Sequence, residues 1–231
     1  RGETMRAQAL EKVLEKRYET IDAHPEFRLL SDTVGVGRDD ARLVQTVLAL
    51  HTKLMSHPYP EDWAERQMLA LSEPGSKAED TVWGRELMQD AQRSVSYWLR
   101  RMDGAVSDIE AAGGKVEKAY LSSFSETASA LRSFLGALGE SWDMAHEKRS
   151  IPFPRLGVVR EPEDPELIAC LKAVRDGCKK AALGWAQTFS DTSEQALSDI
   201  RAMAPAMCEL LRLGSAAAEK KAAETLRDVR R

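Results

Sequence analysis

Apolar residues recur at intervals of three and four along most of this chain, and that spacing places them on one face of an α-helix. No stretch shows the alternation of apolar and polar residues that is typical of a half-buried strand. The pattern therefore predicts an all-α protein with no β-sheet. The apolar positions of the first predicted helices are Met5, Ala9, Val13, Leu14 and Tyr18, then Phe27, Leu29 and Leu30, and then Leu43, Val44, Val47, Leu48, Leu50 and Leu54. Trp63, Gln67, Leu69 and Leu71 are predicted to form a further short helix.

The longest apolar stripe predicts a helix from about Glu79 to Ala112. Such a helix is about 50 Å long, because each residue of an α-helix adds about 1.5 Å. Gly113 and Gly114 favour a stop at its end, and a second stripe over residues 116–138 predicts an antiparallel return. We therefore expect a long antiparallel helical arm within an elongated multi-helix bundle.

The proline-rich residues 151–165 interrupt the helical pattern. Because proline lacks a backbone donor, this stretch is unsuited to the interior of a sheet. It is predicted to be an extended linker packed on the bundle. The stripe over residues 167–189 predicts a further helix, and Asp191 or Ser193 is expected to cap a last helix that runs to Leu213.

These elements predict one domain over residues 1–213, followed by a helical tail over residues 214–231 that is either a cut edge or an added segment. No apolar run reaches the roughly 18 residues that a membrane-spanning helix needs, so we expect no membrane contact and a cytoplasmic location. The cysteines, Cys170, Cys178 and Cys208, lack metal-binding spacing and are interpreted as reduced core residues.

Motifs for nucleotide, metal or nucleophilic chemistry are missing from the sequence. The phosphate-binding pattern GxxxxGK[ST] is absent, and Gly35 and Gly37 supply only half of a dinucleotide fingerprint. The four histidines lie in different predicted elements, where helix-flanking or surface roles are the common ones. We therefore predict no catalytic centre, no metal site and no cofactor in this chain.

Charge limits any nucleic-acid contact to a local surface, since 33 basic and 37 acidic residues leave a net charge of −4. Basic residues flank the linker and recur on the helix after it, where they suit phosphate groups. The alternative is a solvated face of mixed charge, because acidic residues are interleaved with them. The DNA-contact candidates are Arg155, Arg160, Lys172, Arg175, Lys179 and Lys180, and the interleaved acids are Glu161, Glu163, Asp164, Glu166 and Asp176.

The order of several short segments is similar to that in a known family. Ser56-His57-Pro58-Tyr59-Pro60-Glu61-Asp62-Trp63 resembles the SHPxPxxW phrase in the A subunit of AddAB-type helicase–nucleases, which are superfamily 1, UvrD/Rep-like enzymes. The opening helix with Gly2-Glu3, the Phe153-Pro154-Arg155-Leu156 linker and the helix with Val174-Arg175-Asp176-Gly177-Cys178-Lys179-Lys180 follow the same order. The resemblance covers residues 2–213 and implies the helical insertion, called subdomain 1B, of the first motor domain.

The resemblance implies a parent protein that uses ATP and Mg²⁺ to unwind and degrade broken DNA ends in recombinational repair. The catalytic residues of that parent would lie outside this chain. Its expected partners are DNA, bound without sequence preference, the remaining motor domains and a B subunit. From the residues themselves a second hypothesis stays open, in which the helical arm is a protein-interaction scaffold that docks a partner subunit without touching DNA.

Overall fold

In a computed structural model, the backbone is described for residues 2–35, 40–71, 77–160 and 163–229, and side chains for residues 4, 6–35, 40–70, 77–160 and 163–211. Within these backbone ranges the fold is all-α, with nine α-helices, two short 3-10 turns and no strand. The helices are α1 (Gly2–Glu19), α2 (Pro25–Val34), α3 (Ala41–Leu54), α4 (Pro60–Leu71), α5 (Val82–Ala112), α6 (Gly114–Glu140), α7 (Trp142–Lys148), α8 (Pro165–Thr188) and α9 (Ser193–Val229).

The chain forms two compact units. One, here called the terminal unit, comprises Arg1–Gly75 and Leu197–Arg231, and the other, the central unit, comprises Ser76–Ala196. The terminal unit has a core contributed by α1, α2, α3 and α9, because each presents an apolar stripe to the others. Its buried apolar residues are Leu10, Leu14, Phe27, Leu30, Leu43, Val47, Ala206 and Leu210.

Helix α3 is rotated relative to the predicted face. Leu50 was expected to point inward but is 38% exposed, whereas the neighbouring His51 is buried. Adjacent residues of a helix are about 100° apart around its axis. An error of one residue in the centre of the predicted apolar stripe therefore exchanges Leu50 and His51. The expectation that all four histidines flank helices or lie on the surface is therefore wrong for His51.

The predicted short helix at residues 63–71 is confirmed as part of α4, but its described side chains do not face a core. Gln67 is exposed, and Leu69 is 69% exposed. Trp63 is half-buried and stacks on the imidazole of His57, with ring centroids 4.5 Å apart. Across residues 60–70, whose side chains are described, none is buried. This helix therefore forms without a core-facing stripe in the terminal unit.

The central unit contains the predicted antiparallel pair, α5 and α6. Gln92 Nε2 donates to the carbonyl of Leu138 over 2.7 Å, and Arg132 pairs with Asp103. Because partner numbers fall along α6 as they rise along α5, the two helices run in opposite directions. Gly113, with φ of 59°, turns the chain between them in a conformation that favours glycine. The expected helical arm is confirmed.

Helices α7 and α8 complete the central core with a cluster of aromatic side chains. Trp142 lies 4.7 Å from Phe189 between ring centroids and donates its Nε1 proton to the carbonyl of Asp191 over 2.9 Å. Phe134 packs against Phe189 and Trp185, with ring centroids 6.0 Å and 5.9 Å apart. Tryptophan at these positions serves packing, as the apolar stripes predict.

The start of α9 differs from both predicted caps. Thr192 is the cap, since its Oγ1 accepts from the Gln195 amide over 3.3 Å. Ser193 is buried instead, and its hydroxyl accepts from the Ala78 amide over 2.7 Å. The helix was expected to stop at Leu213 but its backbone continues to Val229. Among the cysteines, Cys178 is buried, but Cys170 is exposed, so the core interpretation is wrong there.

Candidate nucleic-acid interface

The linker lies extended against α6, and side-chain donors satisfy its carbonyl groups. Thr127 Oγ1 donates to Pro152 O over 2.8 Å, and Ser123 Oγ donates to Pro154 O over 2.9 Å. The two prolines supply carbonyls but no backbone N–H groups, so this stretch packs on a helix without orphaning donors of its own. The predicted linker packed on the bundle is confirmed.

Arg175 of α8 holds the same segment from a second side. Its Nη2 donates to Phe153 O over 2.9 Å and to Pro154 O over 2.7 Å. The guanidinium carbon also lies 5.7 Å from the centroid of the Phe153 ring, within cation–π range. Arg175 is half-buried, and its Nε proton is buried without a partner. Its described contacts position the linker, a role that sequence reasoning missed because the partners are distant in the chain.

Glycine permits two close approaches around this segment. Gly157 donates its amide to Ala119 O over 3.1 Å, and a Cβ on Gly157 would lie 3.0 Å from the Ala119 Cβ. Gly177 of α8 faces Trp98 of α5, where a Cβ would lie 2.3 Å from the indole Cη2. A side chain larger than that of glycine at either position would require the neighbouring atoms to shift.

Five of the six predicted DNA contacts are exposed on the linker and α8, namely Arg155, Arg160, Lys172, Lys179 and Lys180. Within the part of the chain whose side chains are described, none of the five forms an ion pair with a carboxylate. Their charges are therefore not neutralised by a described carboxylate and can meet an external anion.

Helical geometry separates the three lysines of α8 into two groups. Lys172 and Lys179 are seven residues apart, close to two full turns, so they share the flank on which Arg175 reaches the linker. Lys180 lies about 100° further round the helix, on the adjoining face. The structure therefore brings Lys172 and Lys179 to the linker side and does not bring Lys180 with them.

The acidic residues near this surface have different roles. Asp164 Oδ1 accepts from the Leu167 amide over 2.9 Å and caps α8, while Glu166 lies in its first turn, where it complements the helix dipole. Glu163 and Asp176 do not cap a helix, and Glu161 lies outside the described residues. The surface is thus of mixed charge, with part of its negative charge assigned to helix capping.

Perturbed pKa values do not gather at this surface. Burial raises the pKa of the Cys178 thiol to about 12, which disfavours the thiolate a nucleophile needs. Burial also lowers the pKa of His51, in the terminal unit. Among the residues that the structure describes, no group of three His, Cys, Asp or Glu side chains is placed to hold a metal ion. The same residues contain no helix long and apolar enough to cross a membrane.

Comparison with known proteins finds distant relatives over most of the chain, although no family model matches it. One is the A subunit of the ATP-dependent helicase/nuclease of Ruminiclostridium cellulolyticum, which is 27% identical over 206 residues, covering 87% of this chain and 16% of that protein. The proteins of the same name from Acetivibrio thermocellus and Bacillus cereus are 26% and 24% identical, over 94% and 92% of this chain.

This chain spans less than a fifth of the length of those relatives, at 16% to 18% of each. The match extends across both the terminal and the central unit, since it includes about nine-tenths of the residues. The chain is therefore a distant homologue of one part of the proteins named as the A subunit of ATP-dependent helicase/nuclease.

Proposed function

We propose that this chain is an accessory, non-catalytic, DNA-contacting domain of an ATP-dependent helicase and exonuclease that acts in double-strand-break repair. Its expected role is that of the 1B insertion of a first motor domain. ATP hydrolysis and nuclease chemistry would then belong to other parts of a parent protein, and the motor domains and a B subunit would be its partners. Distant homology to proteins named as the A subunit of a helicase/nuclease supports the proposal.

The observation that carries the DNA-contacting role is that four basic residues on the linker and α8 are exposed and form no ion pair within the part of the chain whose side chains are described, namely Arg155, Arg160, Lys172 and Lys179. Lysine and arginine bind phosphate oxygens without reading bases, as a protein that moves along DNA requires. Lys180 is a separate candidate on the adjoining face. Arg175 contributes indirectly, because it holds the carbonyls of the two peptide bonds that flank Pro154, next to Arg155.

Fluorescence anisotropy with labelled duplex and forked DNA tests this proposal. We expect weak binding at low salt that falls steeply as salt rises, because phosphate contacts release counterions. Two duplexes of unrelated sequence should bind equally, because the contacts are to the backbone. The absence of binding at the lowest salt concentration would reject direct DNA contact by this chain.

A charge-reversal pair locates the contact. Lys172→Glu with Lys179→Glu should reduce affinity at least tenfold, because two favourable phosphate contacts become repulsive. Lys180→Glu, one residue further along α8, tests the adjoining face separately. If Lys180→Glu weakens binding as much as the pair does, the contact is not confined to the linker side.

A further inference from the structure

A trough lies between α4 and α9 in the terminal unit and is lined in part by apolar side chains. It contains two neighbouring cavities of about 290 Å³ and 460 Å³, and Cys208 lines both. Each cavity is several times the roughly 30 Å³ that one water occupies in the liquid, so each can admit a side chain. Their apolar lining includes Met55, Tyr59, Met68, Leu69 and Pro205.

None of the described side chains of α4 belongs to the core of the terminal unit. None of its side chains at residues 60–70 is buried. Tyr59 and Leu69 are 71% and 69% exposed, and Met55 is 49% exposed. A short helix gains most of its stability from tertiary packing of an apolar face, which the described residues do not provide here. The trough therefore has the character of a half-formed helix packing site.

Acidic side chains line the trough. Glu61 and Asp62 line the first cavity, Glu65 and Glu209 line the second, and among the residues whose side chains are described no lysine or arginine lines either one. Glu61 and Asp62 have no ion-pair partner among the described residues. The nearby Arg66 donates a hydrogen bond from its Nε to the main-chain oxygen of Asp62, over 3.2 Å.

The acids of the two cavities differ in their surroundings. Glu61 and Asp62 lie in the first turn of α4 and complement its dipole. That role needs no apolar cavity beside them. At the second cavity Glu209 pairs with Arg17, whereas at the first cavity Glu61 and Asp62 have no ion-pair partner among the described residues and carry negative charge that a ligand can meet.

We propose that this trough binds a basic amphipathic helix of a partner protein. Apolar side chains one helical turn apart would enter the two cavities, while lysine or arginine residues beside them would pair with Glu61 and Asp62. The partner helix would lie between the two helices that form the walls of the trough, which is the helix-in-groove mode of recognition. Methionine suits such a surface, because its flexible side chain adapts to the shape of the ligand.

Three synthetic helical peptides of equal length test the proposal with the full chain. The first has leucine at helical spacing and lysine elsewhere, the second replaces lysine with glutamate, and the third replaces leucine with serine. The methyl resonances of Met55 and Met68 report binding at the trough. We expect saturable shifts with the first peptide and no saturable shift with either of the others. Equal responses to the lysine and glutamate peptides, or no response to the first, would overturn the proposal.

Matched variants separate this site from non-specific attraction to an acidic protein. Glu61→Gln with Asp62→Asn should weaken binding of the first peptide about threefold or more, since an exposed ion pair contributes up to about fivefold. Asp108→Asn with Glu110→Gln removes equal charge from exposed positions on α5 and should leave the affinity unchanged. Leu69→Ser should also weaken binding, and because Leu69 is already exposed, its replacement spares the fold. Equal losses in both charge variants would contradict a specific site.

Sedimentation velocity tests whether a second copy of this chain occupies the trough. If the chain dimerises, and the Met55 and Met68 resonances shift with its own concentration, the trough is an interface between copies and the proposal fails. A monomer at the concentrations used for the peptide titration supports a foreign helix. These outcomes are independent of DNA binding, so this proposal and the DNA-contacting function can fail separately.

Discussion

Gly177 lies where α8 passes the indole of Trp98, and a Cβ there would come within 2.3 Å of Trp98 Cη2. Gly177→Ala should therefore destabilise the protein by about 1–3 kcal/mol, the usual cost of overpacking. Gly184→Ala on the same helix has no neighbour within 4 Å and should stabilise by about 0.5–1 kcal/mol, because alanine favours helices. Urea unfolding compares the two signs, and stabilisation by both substitutions would contradict the packing described.

His51 gives the terminal unit a dependence on pH. Burial is the main cause that lowers its pKa, the charge of Arg6 adds to it, and a backbone hydrogen bond with Leu211 opposes it. The unfolded chain therefore binds a proton near pH 6.5 that the folded chain does not, so stability falls as pH decreases below that value. Unfolding at about pH 7 and about pH 5.5 should show a smaller loss for His51→Gln than for the parent. An equal loss would show that His51 is not the cause.

Some residue roles follow from local pattern and others do not. The capping of α8 by Asp164 can be predicted, because cap and amide lie three residues apart. The linker contacts of Arg175 depend on a segment more than twenty residues away. Its spacing with Lys179 places both on one flank of the helix, but spacing cannot tell which of the two cations turns inward. Ser193 has the same limitation, since a good capping residue is used for a distant amide.

At the scale of elements, the linker and α8 behave as one assembly. Arg175→Gln removes a donor shared by two carbonyls and should cost about 1–3 kcal/mol. Hydrogen exchange at the Gly157 amide, which is bonded to Ala119 O, should accelerate as the linker loosens. Lys179→Gln, on the exposed flank of α8, should change neither property.

Arg175→Lys provides a sharper comparison at the same position. Lysine keeps the charge but lacks the planar guanidinium, whose Nη2 donates to both carbonyls and whose carbon lies over the Phe153 ring. We therefore expect it to resemble Arg175→Gln in hydrogen exchange at Gly157. Full protection in Arg175→Lys would show that charge alone holds the linker.

Sequence patterns predicted elements better than faces. The α5 and α6 pair was predictable because its apolar stripes are long and Gly113 and Gly114 mark the turn. The face of α4 was not, because a helix of twelve residues with few apolar positions fits several orientations. Apolar periodicity predicts the buried face of a helix only where that helix packs on a core, and none of the described side chains of α4 is buried.

At the scale of the whole molecule, the chain has two compact units, and the exposed basic residues of the linker and α8 lie in the central one. Its net charge of −4 does not favour DNA, so attraction must come from a local basic surface. DNA binding should therefore depend on a few residues. Equal charge changes elsewhere should have little effect on affinity, apart from the small contribution of overall charge.

The most direct test compares two charge reversals of equal size in their salt dependence. Lys172→Glu with Lys179→Glu should reduce the slope of log affinity against log salt by about 1.8, since each lost phosphate contact removes about 0.9. Lys12→Glu with Lys16→Glu changes two lysines on α1 and should leave the slope within error of the parent. Equal slopes for the two variants would contradict a DNA interface on the linker and α8.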